Sequence, residues 1–391
     1  MQRESYRAMR SVMGLVCVWV VLAAWAVRAR GEPYIAVREG YKCSQCHTNI
    51  TGGGKRNGFG LIYTQTTLPH TIVSSASVQK LFSDTTSNTS SSDVGTFVGS
   101  AITDFLSVGG DLRMENRTVF AEGPLETRNE FSVTEANLYV QADLLRDFLT
   151  LYVDERLAPG AANSREVFAL IHLPQLLNFY LKGGKFFLPF GWRLQDDSAF
   201  IRDRTGINYA TPDIGVEVGI EPGPVTFSLA VSNGTAGGAE DNLLKQVTLR
   251  GEVVFRHWRI GGSFAYNETD AARRVMYGSF AGLSFGRLTL LGEADVIADR
   301  DAASGDTLTQ LAVFSALNVL VVRGVNFMLS YEFLDPDVDI DHNARTRLVI
   351  GIEPFLTQFF QMRLFYRRND SIPQRPAERA DEVRLEMHLF F

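Results

Sequence analysis

The last twelve residues, "ADEVRLEMHLFF", set Val383, Leu385, Met387, Leu389 and Phe391 on one parity and Glu382, Arg384, Glu386 and His388 on the other. Extended backbone turns successive side chains to opposite faces, so this segment has one apolar face and one charged face. The same alternation recurs through the chain. Val247, Leu249, Val253 and Phe255 oppose Gln246, Thr248, Arg250, Glu252 and Arg256. Leu348, Ile350 and Ile352 oppose Arg345, Arg347 and Glu353, and Val325, Phe327, Leu329, Tyr331 and Phe333 oppose Asn326, Ser330 and Glu332. Near residue 112, Leu112 and Met114 oppose Asp111, Arg113, Glu115 and Arg117.

A soluble sandwich also alternates, with its apolar face turned inward, and periodicity alone leaves that alternative open. The rhythm favours a membrane barrel, whose signature is alternating segments of about ten residues separated by turn signals. The connections alternate too. Short ones fall near Arg146–Asp147, "LPQLL", "EPGPV", "RHW", "FGR", "VVRG" and "EPFLTQ". Longer polar ones include "LAPGAANS", the stretch from Pro189 to Pro212, "SNGTAGGAEDN", "NETDAARR" and "LDPDVDIDHNA". The expected fold is all-β: a transmembrane antiparallel barrel of about 16 strands over residues 102–391, with short turns on the periplasmic side and long loops outside. No later stretch is long and apolar enough for a transmembrane helix.

The other parity carries both signs of charge, among them Arg113, Glu115, Arg250, Glu252, Glu293, Asp295, Arg347 and Glu353. Facing lipid, each would cost about 2–4 kcal/mol near the midplane, so these residues belong inside. Mixed signs favour a lumen laced with ion pairs and water over a pore with one sign at a constriction. The net charge of −6 supplies no basic footprint for nucleic acid.

The N-terminus is organised differently. Arg3, Arg7 and Arg10 precede the apolar run "VMGLVCVWVVLAAWAV" and the exit Arg28–Gly31. Residues 1–31 are therefore expected to be a secretory signal peptide cut after Ala29 or Gly31, with an uncleaved anchor as the alternative. Cys17 goes with that segment and leaves Cys43 and Cys46 as the cysteines of the mature chain. Residues 74–101, rich in Ser and Thr, have the composition of a flexible connector.

Between signal and connector, residues 32–73 contain "CSQCH": Cys43, Cys46 and His47. In an exported bacterial protein C-x-x-C-H marks covalent attachment of a c-type haem, two thiols binding the macrocycle and the imidazole binding iron. A structural zinc site needs a second close ligand pair, which is missing, and a thioredoxin-like pair needs a βαβ setting. His70 is the first candidate for a second axial ligand, with His388, His257 and Met328 behind it. Gly52, Gly53, Gly54, Gly58 and Gly60 are expected to impose turns rather than helix. Tyr34, Tyr41, Phe59 and Tyr63 could cover a macrocycle. A segment of about forty residues buries too little apolar surface to fold alone, so the haem would supply most of its core.

This layout, with "PYIAVREGYKCSQCH" near the mature N-terminus, "NGFG" soon after it and a barrel ending on Phe, resembles the outer-membrane monohaem c-type cytochrome–porin fusions of iron-oxidising bacteria. Those fusions carry a Pro–Leu–Asn run before the Phe–Gly, where this chain has "TGGGKRNGFG". "GGKFFLPFGWRLQDDSAFIRD", residues 183 to 203, is similar to anion-type porins. The resemblance implies one haem c on Cys43 and Cys46 with His47 as axial ligand. It also implies electron transfer across the bacterial outer membrane, with outer-membrane lipid, a periplasmic c-type cytochrome or other carrier, and extracellular Fe(II) as partners. For one haem to serve both faces of an apolar band about 25 Å tall, residues 32–73 are expected at the periplasmic mouth or folded into the lumen. Two alternatives stay open: a solute channel whose haem segment gates or docks a partner, and a sheath around a separate multihaem cytochrome.

Overall fold

The computed structural model describes residues 32–73, 101–120, 127–240 and 242–391. The expected signal peptide and nearly all of the expected connector lie outside them. Sixteen strands close into one antiparallel barrel. They are β1 (Leu106–Phe120), β2 (Arg128–Leu145), β3 (Leu149–Ala158), β4 (Asn163–Leu173), β5 (Phe179–Phe186), β6 (Asp213–Ile220), β7 (Val225–Ser232) and β8 (Gln246–Val254). There follow β9 (Trp258–Glu268), β10 (Ala272–Phe285), β11 (Leu288–Asp301), β12 (Thr307–Val322), β13 (Val325–Asp335), β14 (Arg345–Thr357), β15 (Phe360–Asp370) and β16 (Asp381–Phe390). The seam is β1 against β16, with Arg113 opposite His388 and Arg117 opposite Arg384. Beyond it, Phe391 exchanges backbone hydrogen bonds with Gly110 at 3.1 and 3.3 Å.

Parity sorts the side chains as the alternation requires. On β14, Leu348, Ile350 and Ile352 are exposed outside the barrel while Glu353 is buried inside. On β16, Glu382, Glu386 and His388 are buried and Leu389 is exposed. Val216, Phe227, Ile260, Tyr277 and Val296 continue the apolar exterior. Inside, opposite charges meet. Arg113 pairs with Glu135 at 3.2 Å and Glu386 at 3.1 Å, and Arg165 bridges Glu135 at 2.8 Å and Asp154 at 2.9 Å. Lys182 meets Glu217 at 3.1 Å, and Arg363 meets Glu353 at 2.7 Å. A buried pair is costly to break because one uncompensated charge remains behind. These networks therefore fix the lumen wall rather than lining an open, single-sign pore.

Three features differ from the sequence expectation. "LAPGAANS" and "NETDAARR" are no long loops, because β3 and β4 leave only residues 159–162 between them, and β9 and β10, paired to Glu268 and Arg273, only residues 269–271. The stretch from Pro189 to Pro212 is no external loop either. Residues 187–212 turn into the barrel and bury Phe187, Leu188, Phe190, Trp192, Leu194, Phe200 and Ile201. A short helix there, α3 (Phe200–Thr205), is pinned where the Phe200 N–H donates to Glu332 of β13 at 2.7 Å. Third, Gly58 and Gly60 do not break helix formation but open helix α2 (Gly58–Thr66).

Residues 32–73 also lie within the barrel, at its short-turn end. Helix α1 (Pro33–Glu39) starts on Pro33, where no amide donor is required, and stops at Gly40 in the left-handed region, φ 67°. Its Val37 packs on β10, where a Cβ on Gly282 would approach within 2.6 Å; only glycine leaves that room. Tyr34 donates to Glu353, and Arg38 reaches Thr289 of β11 and Asn326 of β13 at 3.3 and 3.2 Å. At the far end, the His70 and Thr71 amides donate to Phe355 and Leu356 carbonyls of β14 at 2.7 and 3.2 Å.

The exterior reading yields a direct expectation. Ile350→Arg, near the middle of β14, should cost about 2–4 kcal/mol of unfolding free energy in a lipid bilayer. Leu243→Arg, on a fully exposed loop position, should stay within about 0.5 kcal/mol. Urea titration of bilayer-refolded protein measures both.

Candidate functional site: a lumen cavity around C-x-x-C-H

Cys43–Gln45 form one 3-10 turn whose geometry clusters the motif. The amides of Cys46 and His47 both donate to the Cys43 carbonyl, at 3.1 and 3.0 Å. Asn57 then ties this turn to α2. Its Oδ1 caps the helix by accepting from Gly60 N–H at 2.9 Å, while its Nδ2 donates to Ser44 and His47 carbonyls at 3.0 and 3.3 Å. Gly60 is needed for contact, since a Cβ there would sit 2.1 Å from the Cys46 carbonyl oxygen. Between turn and helix, Gly52, Gly53 and Gly54 all adopt positive φ, 89°, 84° and 61°.

The barrel grips this unit on several sides. Lys42 donates to the Val225 carbonyl at 2.8 Å, and the Ser44 hydroxyl to Glu221 at 2.6 Å. Thr48 meets Gln141 of β2 at 2.8 Å, Asn49 meets Glu166 of β4 at 2.6 Å, and Lys55 N–H meets the Tyr152 hydroxyl of β3 at 2.8 Å. Asn49, 0 % exposed, also accepts from Lys182 of β5 at 3.1 Å. The strand wall thus pairs many of the segment's polar groups, as a buried irregular backbone demands.

Cys43, Cys46 and His47 face one cavity of about 1550 Å³ of atom-free space, part of it open to solvent. Tyr41, Tyr63, Trp192 and Phe355 give it aromatic walls, while Arg56, Arg113, Arg193, Arg250 and Arg259 bring cations to its edge. Both cysteines are unbridged. The His47 Nδ1 is shielded from water. Burial, aided by Arg56 and Arg193 and partly opposed by the Gly53 and Gly54 backbone, lowers the His47 pKa to about 4. At neutral pH the imidazole is uncharged, the form that ligates metal. Lys55 is likewise lowered by burial, to about 8, with Asp143 opposing.

These residues fit a c-type haem chemically. Two thiols three positions apart, a neutral imidazole, flat aromatic walls and guanidinium groups suited to propionate carboxylates converge on one space. The other predicted groups divide. His388 lines the same cavity, and its Nε2 is buried without a partner. His70 is not brought there: it is exposed at the barrel rim, its Nδ1 3.0 Å from the Arg323 carbonyl. His257 is exposed in the β8–β9 turn, and Met328 lies on β13 outside the cavity lining. Of the four aromatics, Tyr41 and Tyr63 reach the cavity, Phe59 packs edge-on to Tyr41 and tilted against Tyr63 with ring centroids 5.4 and 5.9 Å away, and Tyr34 turns to Glu353.

Sequence reasoning missed the far wall. Arg193 donates to the Gly52 carbonyl, and Tyr209 lies 3.3 Å from the position of a Cβ on Gly53, so residues 187–212 meet the C-x-x-C-H unit inside the barrel. The signal was present in "FFLPFGWRL", too apolar to hang in water.

No protein-family model and no curated protein matches the chain. Solved structures do. OmpT of Vibrio cholerae aligns at TM-score 0.59 and 11% identity, covering 73% of this chain and 99% of that one. An anion-selective porin from Comamonas acidovorans aligns at 0.56 and 11%, over 73% and 99%. The outer-membrane channel DcaP of Acinetobacter baumannii aligns at 0.55 and 9%, over 73% and 97%. The chain therefore has the porin-like fold of 16-stranded outer-membrane β-barrels.

Proposed function

We propose that this chain is an outer-membrane electron-transfer protein, in which residues 32–73 hold a covalent haem inside a barrel closed to free diffusion. The observation that supports it best is the meeting of Cys43, Cys46 and His47 at one lumen cavity. When bound there, the haem supplies one-electron redox chemistry. The chain's own residues would do the rest. Cys43 and Cys46 anchor, His47 ligates, and Arg56, Arg193 and Arg259 balance carboxylates. Residues 187–212 and the ion-paired wall limit the free passage of solutes. The expected carriers are a periplasmic c-type cytochrome on the short-turn side and a donor such as Fe(II) on the other.

A solute channel is the second reading, favoured by the fold shared with an anion-selective porin and the DcaP channel. Arginines at the cavity edge would suit an anion. The reading as a sheath for a separate multihaem cytochrome draws no support, since residues 32–73 and 187–212 occupy the lumen where such a partner would sit.

Reconstitution into liposomes separates the first two. Electron transfer requires external Fe(II) to reduce an enclosed acceptor without leakage of small ions, and His47→Ala should lower that rate at least about a hundredfold while ion flux stays at background. Large ohmic conductance, equal in wild type and His47→Ala, would establish the channel instead. The double variant Cys43→Ala/Cys46→Ala should give barrels that fold and pair their strands but carry no covalent pigment, as read by visible absorbance of denatured protein.

A further inference from the structure

We infer that His388, on the last barrel strand, is the second axial ligand of the lumen haem; this rests on the haem reading above. Three observations carry it. First, His388 is 2 % exposed and lines the same cavity as Cys43, Cys46 and His47. Second, its protonation is fixed by its neighbours. The Gln361 Nε2 donates to Glu353, which also accepts from Arg363 at 2.7 Å, so the Gln361 amide presents its oxygen to His388 Nδ1 at 2.8 Å. An acceptor at that nitrogen places the ring proton on Nδ1 and leaves the Nε2 lone pair free. Third, that Nε2 is buried without any hydrogen-bond partner.

An unpaired, buried imidazole nitrogen costs about 1–3 kcal/mol unless something occupies it. Metal-ligating histidines characteristically donate their other N–H to a carbonyl or carboxylate, which sets tautomer and ring orientation. The Arg363–Glu353–Gln361–His388 chain is an arrangement of that kind. The two histidines are also linked through the wall: His47 pairs with Arg56, whose guanidinium lies 4.6 Å over the Phe390 ring, and Phe390 packs 4.8 Å from His388. His47 comes from the lumen segment and His388 from the barrel, so ligation would fasten one to the other across the iron.

The test uses full-length protein purified from membranes. Wild type should show a six-coordinate, low-spin ferric spectrum and should bind carbon monoxide slowly or not at all when reduced. In His388→Ala the low-spin signature should be lost, carbon monoxide should bind within mixing time, and added imidazole should restore the low-spin form. His388→Met, which keeps a ligand and fills the space, should stay six-coordinate with a shifted reduction potential, guarding against a variant that merely misfolds. His70→Ala should change none of these. A low-spin, carbon-monoxide-resistant spectrum surviving in folded His388→Ala overturns the assignment, as does its loss in His70→Ala. A wild type without covalent haem removes the underlying reading instead.

Discussion

In a hydrocarbon layer no water is available to pair backbone N–H and C=O groups, so a spanning strand must find both neighbours within the protein. The sixteen-strand closure meets that constraint, with β1 sealing against β16 through ten successive residue pairs from Asp111 to Phe120. Closure then dictates the rest. Apolar side chains such as Ile350 and Phe227 must go outward, and every charged residue of alternating parity must go inward. A ring of inward charges in a narrow space is tolerable only if the signs are interleaved, and Arg113, Glu135, Arg165 and Asp154 show how tightly they interlock.

Such a wall also supplies hydrogen-bonding groups on all sides to whatever enters it. Residues 32–73 could not form a stable core alone, and they do not attempt one. Asn49, Lys55, Tyr34 and Arg38 each reach a partner on a barrel strand. Residues 187–212 enter from the other end and carry aromatic bulk as far as the C-x-x-C-H turn. The outcome is a barrel of porin architecture whose interior is occupied by residues 32–73 and 187–212.

The barrel was legible in the sequence because its cause is local: a period of two, repeated, with turn residues between. The strand count and the facing of Glu353, Arg250 and His388 all follow from parity. The cavity was only half legible. C-x-x-C-H is contiguous, so Cys43, Cys46 and His47 could be named together. What faces them comes from residues hundreds of positions away, and nothing local distinguishes His388 from any inward polar residue. His70 is near the motif in sequence, but its place at the rim beside the Arg323 carbonyl is a tertiary fact. The inward turn of residues 187–212 was misread because its length and polar ends resemble an external loop, although Phe187, Phe190 and Trp192 argued otherwise. Gly60 illustrates a different limit: a residue taken as a helix breaker serves to let α2 approach Cys46.

The central claim is that the mature chain carries a porphyrin bonded to Cys43 and Cys46 within the barrel. The most direct measurement is the intact mass of protein extracted from outer membranes in detergent and then fully denatured. The polypeptide should be heavier than its mature sequence by one haem, with that increment lost when the two cysteines are replaced. A mass equal to the bare mature chain would contradict it.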